Sequence, residues 1–249
     1  MERFRLPHHV GFKGPSDVVT EVDRLAEDHI VSQLLAAFPS HQVLAEEGHH
    51  PTSTDAPLWV VDPLDGTRNY ARGVPFFCVS IALQVAGKTV LGVIHDPIHD
   101  ETFSGRLGEG AELNGHPLTF SRKPKLEESI VAAGSMPARN PADRNLALPI
   151  YMRARPLVEA IRMSGSVALN LAYVACGRWD ISLSDNVHPW DVLAGALLIE
   201  ETGGVVSELG GRPLSLTSRD ILAANQTAFH HRMLQLAQQV MSERAATGP

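Results

Sequence analysis

Apolar residues recur at three- and four-residue steps from Thr20 onward, at Val22, Leu25, Ala26, Ile30 and Leu34, and the pattern stops at Pro39-Ser40. That spacing predicts an amphipathic helix opened by Thr20. Thr20-Glu21-Val22-Asp23 has the form of a capping box, with Asp23 reaching back to the start of the helix. The period then shortens. Leu58–Asp62, Cys78–Val85 and Val90–His95, rich in Val and Ile and separated by Gly or Pro, predict strands. The last two read as a hairpin turning at Gly87-Lys88. A polar stretch, Ser121–Ser129, is the one plausible linker. Beyond it come a strand within Arg155–Met163, a helix over Ser166–Cys176, a strand at Asp180–Leu183 and a helix over Pro189–Thr202 closed by Gly203-Gly204. A strand beginning at Val205-Val206, another at Ile221–Ala224 and a helix over Thr227–Met241 complete the chain. Antiparallel pairs first and strand–helix alternation second predict an α+β arrangement of layered sheets and helices. The expected organisation is one compact unit in two halves, 1–128 and 129–249.

Composition narrows the function. The 249 residues are 44% hydrophobic and 20% charged, enough apolar material for a sizeable core. A net charge of -7 argues against a dedicated nucleic-acid or membrane-surface binder. No run of 18 apolar residues is present, and Met1–Lys13 lacks the apolar block of a secretory signal. Cys78 and Cys176 each sit in an apolar stretch and read as buried reduced thiols, which points to the cytoplasm; one disulfide is the alternative. Trp59, Trp179 and Trp190 read as core.

The chemistry concentrates in WVVDPLDGT, Trp59 to Thr67. An apolar strand delivers Asp62 at its end, Pro63 stiffens the turn, and Asp65 follows three residues on. Two carboxylates at the mouth of one strand suit hard divalent cations, which prefer oxygen ligands. Gly66 lets the N–H groups of Asp65, Gly66 and Thr67 turn toward one point, a nest for phosphate oxygens. The bland reading is an Asp-Pro…Asp-Gly turn with solvated carboxylates. Other acids have bland readings too: Glu46-Glu47 as a solvated loop, Asp191 as a first-turn helix charge, Asp23 as the cap. His49-His50 and His95-Asp96…His99-Asp100 suggest zinc only weakly, and solvated or capping roles fit them better.

Taken together, DVVTEVD (17–23), LAEEG (44–48), DPLDGTRNY (62–70) and PWDVLAGALLIEETGG (189–204) resemble, in order and spacing, the motifs of the inositol monophosphatase family. The resemblance runs from about Lys13 to the final helix. It implies a layered αβαβα sugar-phosphatase fold, a homodimer, Mg²⁺ dependence with two or more ions per site, Li⁺ inhibition, and a small phosphorylated sugar or polyol as substrate. Carried over motif by motif, Glu46, Asp62 and the carbonyl of Leu64 resemble ligands of a first Mg²⁺. Asp62 would bridge to a second ion held by Asp65 and Asp191. Glu46 with Thr67 would orient or deprotonate the attacking water, and Asp23 would fix the Thr67 hydroxyl. Asp65, Gly66, Thr67 and the turn at Gly165-Ser166 would meet the phosphate ester. Lys13 matches a family lysine near the site.

Two departures stand out. The family's helix ahead of the first motif has no counterpart in the 16 residues before Asp17. Where many inositol phosphatases place a glutamate on the sugar hydroxyls, seven residues before the WD aspartate, this chain has Ser184 with Asp185 beside it. The expectation is a roomier sugar side, contacted by Ser184 and Asp185. Substrates of the same fold left open are fructose bisphosphate, histidinol phosphate and nucleotide 3′-phosphates, and a regulatory protein-binding homologue is the alternative of another class.

Overall fold

The computed structural model describes residues 1, 4–5, 10–14, 17–52, 55–118, 123, 125–134 and 146–247. β1 (Val10–Gly14) and β2 (Asp17–Thr20) pair as an antiparallel hairpin ahead of α1 (Glu21–Ala37). A seven-stranded sheet follows, built from β3 (Gln42–Ala45), β4 (Leu58–Asp65), β5 (Cys78–Val85), β6 (Lys88–Asp96), β7 (Glu101–Arg106), β8 (Gly110–Leu113) and β9 (His116–Pro117) in that spatial order. β3 and β4 are parallel, and the remaining neighbours are antiparallel. The β5–β6 hairpin turns at Ala86-Gly87, with Val85 opposite Lys88, one residue earlier than the sequence suggests. Both turn residues have positive φ, the geometry that matches strand twist in a two-residue turn.

The second half supplies β10 (Ile130–Ala133), α3 (Ala147–Ala154), β11 (Ala160–Met163), α4 (Val167–Ala175), β12 (Ile181–Asp185), α5 (Pro189–Glu201), β13 (Val205–Ser207), β14 (Asp220–Ala224) and α6 (Thr227–Thr247). Its five strands form a mixed sheet ordered β11-β10-β12-β14-β13. The strand expected within Arg155–Met163 is shorter, because Arg155–Leu157 winds into a 3-10 turn around Pro156. Leu126–Glu128, within the expected linker, is a second such turn; 121, 122 and 124 lie outside the described residues.

Packing makes five layers. α1 covers one face of the large sheet through Val31 against Val43, Ala45, Trp59 and Val61. The opposite face, with Val60, Ile94 and Phe103, meets Leu171 of α4 and Leu198 of α5, and this cluster runs on to Ile221 and Ala223 of the small sheet. The far face of the small sheet, with Val131, Ile181, Leu183 and Leu222, is covered by Ile150 of α3 and by Phe229, Met233 and Ala237 of α6. Helix, sheet, helix, sheet and helix follow one another, as expected. β4 is buried on both faces, which explains why Leu58–Val61 shows no polar alternation. Trp59 is core, while Trp179 and Trp190 pack at the edge of the central layer. Both cysteines are free. Among the described residues no helix is long and apolar enough to cross a membrane.

Candidate metal centre

Asp62 and Asp65 are three residues apart, a spacing that points side chains to opposite faces of a regular strand. β4 corrects this with a bulge: Asp62 pairs with Ser80 and Asp65 with Cys78, so three steps on β4 oppose two on β5. The extra residue returns both carboxylates to one side. Asp191 arrives from the first turn of α5. Carboxylate oxygens of Asp62, Asp65 and Asp191 lie within 4.8 Å of one another, the one such group among the described residues. The histidines form no such cluster there.

Each carboxylate is held from behind. Asp62 Oδ1 accepts the Leu64 N–H at 2.9 Å, and Asp191 Oδ2 accepts the His188 N–H at 2.7 Å, closing the N-terminus of α5. Asp65 Oδ2 accepts from Ser166 Oγ at 2.5 Å and from the Ala168 N–H at 2.6 Å, so it sits on the N-terminus of α4. Gly66 leads from β4 into α2 (Thr67–Ala71) at φ 96°, and a Cβ there would meet the Phe76 carbonyl at 3.1 Å. Glycine is the residue that fits both conditions.

Thr67 Oγ donates toward Asp23 Oδ1 at 2.8 Å and lies 3.1 Å from the Leu64 carbonyl. The capping box is present as expected: Asp23 Oδ2 accepts the Thr20 N–H at 2.8 Å, and Asp23 does both jobs at once. The turn at Gly165-Ser166 is tied to α2 by Asn69, whose Nδ2 donates to the Ser164 carbonyl at 2.8 Å and to Phe76 at 2.7 Å.

Residues 2–242 match the inositol monophosphatase family. The chain belongs to the inositol monophosphatase family. It is 42% identical to inositol monophosphatase 2 of Solanum lycopersicum over 223 residues, covering 87% of this chain and 84% of that protein. It is 41% identical to Nus factor SuhB of Pseudomonas aeruginosa, with 88% and 83% covered. The Thermotoga maritima IMPase structure superposes with a TM-score of 0.87 at 33% identity, over 98% of this chain and 92% of that one. A crystal structure of an IMPase/NADP phosphatase complexed with Mg²⁺ and phosphate gives 0.81 at 26% identity, over 94% and 88%.

Does this donor set fit the family's cation? Burial pushes the Asp62 carboxyl well above the usual carboxylate range, and Glu46, Asp65 and Asp191 push it further. Asp191 is raised by burial and then by Asp65 and Glu46, and Asp65 is raised by burial against the hydrogen bonds from Ser166 and α4. Clustered acids crowding one another in a buried site are what a hard divalent cation relieves, and all the donors are oxygens. The set fits Mg²⁺. Glu46, just past β3, stands near enough to raise both Asp62 and Asp191, and the Leu64 carbonyl is on the Thr67 side.

Ser184 and Asp185 serve elsewhere. Ser184 is buried; its Oγ accepts the Gly134 N–H at 3.1 Å and donates to the Leu183 carbonyl at 2.8 Å. Asp185 Oδ2 accepts the N–H groups of Leu146 and Ala147 at 2.6 and 2.9 Å, capping α3. β12 lies between β10 and β14, so these side chains are committed to the chain's own backbone, and the expectation of a pocket wall made by them is revised. Ser184→Glu should therefore destabilise the fold, by about 3 kcal/mol or more, through overpacking and a buried unpaired charge. Chemical denaturation checks it; a stable variant with altered substrate preference would restore the pocket-wall reading. The side chain of Lys13 lies outside what is described.

Asn69 lies in the DPLDGTRNY motif without an assigned role, and Ser164 and Ala168 lie outside the motifs; all three hold the site's turns. Glu27, one turn after Asp23, contacts Glu47 and His49 beside the site. The sequence signal for Glu27 is an acid at i+4 from Asp23 on the buried side of α1.

Proposed function

We propose that this protein is a Mg²⁺-dependent phosphomonoesterase acting on inositol monophosphate or related small sugar and polyol phosphates. The observation that carries it is the group of Asp62, Asp65 and the partly buried Asp191, with Glu46 near enough to raise Asp62 and with the Thr67–Asp23 hydrogen bond. Glu46, Asp62, Asp65, Asp191 and the Leu64 carbonyl would hold two Mg²⁺ ions. Bound there, Mg²⁺ supplies charge against the phosphoryl oxygens and a water of lowered pKa.

The protein's own groups do the rest. Thr67 Oγ sends its proton toward Asp23, which leaves its lone pairs to orient the attacking water. Glu46 would accept that water's proton. The N–H groups of Gly66 and Thr67 would meet the phosphoryl oxygens, where fixed donors favour developing charge without reorganising, whereas the Gly165 N–H is committed to the Gly134 carbonyl at 2.9 Å and Ser166 Oγ to Asp65. Ser166 and the α4 N-terminus keep Asp65 in register for an in-line displacement.

The family resemblance favours a homodimer and Li⁺ inhibition, and the two free cysteines favour a cytoplasmic location; we include all three in the proposal. A regulatory role is suggested by the name of the Pseudomonas relative, and the intact acidic group favours catalysis as the primary activity. The test is phosphate release from a panel of inositol, sugar, polyol and nucleotide phosphates with Mg²⁺, with chelator and with millimolar Li⁺. Release from the polyol members, abolished by chelator and reduced by Li⁺, is expected. Full activity after metal removal would refute the reading.

A further inference from the structure

Glu27 is a carboxylate that the chemistry above does not use, yet it is almost wholly buried. It stands one helical turn beyond Asp23 on the same side of α1. Its Oε2 accepts the N–H of Glu47 at 2.7 Å, and its Oε1 lies 2.7 Å from His49 Nδ1. A carboxylate only accepts, so the His49 Nδ1 carries the proton and donates. The loop between the two contacts is closed twice more: the Ala45 N–H donates to the His49 carbonyl at 2.8 Å, and the Glu46 N–H to the Val61 carbonyl at 3.3 Å. Glu46 therefore sits in a short loop pinned to α1 on its far side and to β4 on its near side. Buried carboxylates are costly to keep, and this one has two donors, both from the three residues that follow Glu46.

We propose that Glu27 and His49 are positioning residues of the metal centre, a brace that fixes Glu46 in its ligating position. The proposal rests on the reading of Glu46 as a metal ligand. It gives α1 two linked tasks from one face: Asp23 orients the Thr67 hydroxyl, and Glu27 sets the Glu46 loop. Partners that orient a ligand without touching the ion contribute strongly to affinity.

The experiment measures Mn²⁺, a paramagnetic substitute for Mg²⁺, bound to the full protein without substrate, by electron paramagnetic resonance of the free ion. Wild type is expected to bind. Glu27→Ala should bind about 10- to 100-fold more weakly. Glu27→Gln keeps an oxygen for the Glu47 N–H and should recover most of that loss. His49→Ala removes one contact from a half-exposed side chain and should weaken binding several-fold with the thermal midpoint nearly unchanged. A purely structural Glu27 would lower the midpoint while the folded fraction binds Mn²⁺ as wild type does. Wild-type affinity in folded Glu27→Ala, or in His49→Ala should Glu27→Ala not fold, overturns the brace alone. Absence of Mn²⁺ binding in wild type would overturn the metal centre on which it rests.

Discussion

Asp62→Asn is expected to lower kcat by about 100- to 1000-fold while the protein stays folded. Asp62 is the acid that Glu46, Asp65 and Asp191 all crowd, and in the proposed two-ion site it would serve both ions. Asparagine keeps its shape and its acceptor for the Leu64 N–H and removes only the charge. The sign of the stability effect follows from the direction of its titration. A carboxyl raised by burial binds its proton more tightly folded than unfolded, so without metal it subtracts stability as pH rises above its unfolded value. The variant should thus be at least as stable as wild type without metal at neutral pH, and should lose the stabilisation that Mg²⁺ gives. Asp23→Asn should behave in the opposite way. It keeps the cation ligands, costs less turnover, and lowers stability by about 1 kcal/mol through the weakened cap at Thr20. Steady-state kinetics with melting curves at several Mg²⁺ concentrations separate the two. Near-normal turnover by folded Asp62→Asn would show that the acidic group is not the reaction centre.

These residues could be read from the sequence because metal chemistry tolerates few substitutes and sits in short contiguous motifs. Helices α1 and α6 are legible because their apolar residues recur on one side at helical spacing, while α4 and α5 are buried on most sides and show little such period. Other features were not. Helix α3 is interrupted by Pro149, which reads as a breaker, yet the proline falls in the first helical turn, where its missing N–H costs little. Strands β7 and β8 carry Glu101, Ser104, Gly105, Gly110 and Glu112, and take their shape from pairing, β7 onto β6 and β8 onto β7, more than from their own pattern. The β4 bulge was hidden because it depends on where β5 places Ser80 and Cys78. Ser184 and Asp185 read as pocket residues from their sequence neighbourhood, whereas on β12, between two other strands, their side chains bond the chain's own backbone. Glu27 and His49 looked ordinary because their meaning is tertiary, separated by 22 positions.

Gly195→Ala is expected to cost both stability and turnover, although Gly195 touches no reacting group. It lies on the face of α5 that meets α4, and a Cβ there would fall 2.3 Å from Leu171 Cβ. That atom is fixed to the α4 backbone and has no rotamer to move into, so the two helices must separate. Overpacking of this kind costs about 1–3 kcal/mol. Separation also reaches the site, because α5 carries Asp191 in its first turn and the N-terminus of α4 holds Asp65 through Ser166 and Ala168. Moving these helix ends apart pulls two carboxylates out of the arrangement in which their oxygens lie within 4.8 Å. Misplacement by about 1 Å can cost about 100-fold in rate even when the altered residue is remote. The comparison is Gly210→Ala, where an added Cβ meets nothing within 4 Å, and which should stay within about 0.5 kcal/mol of wild type with full activity. Denaturant unfolding gives the first quantity, and kcat with Mn²⁺ affinity at a temperature where both variants are folded gives the second. Gly195→Ala matching Gly210→Ala in stability, kcat and Mn²⁺ affinity would mean that the α4–α5 contact does not hold Asp65 and Asp191 together. A loss of turnover larger than the loss of stability predicts is the outcome that ties this close approach to the chemistry.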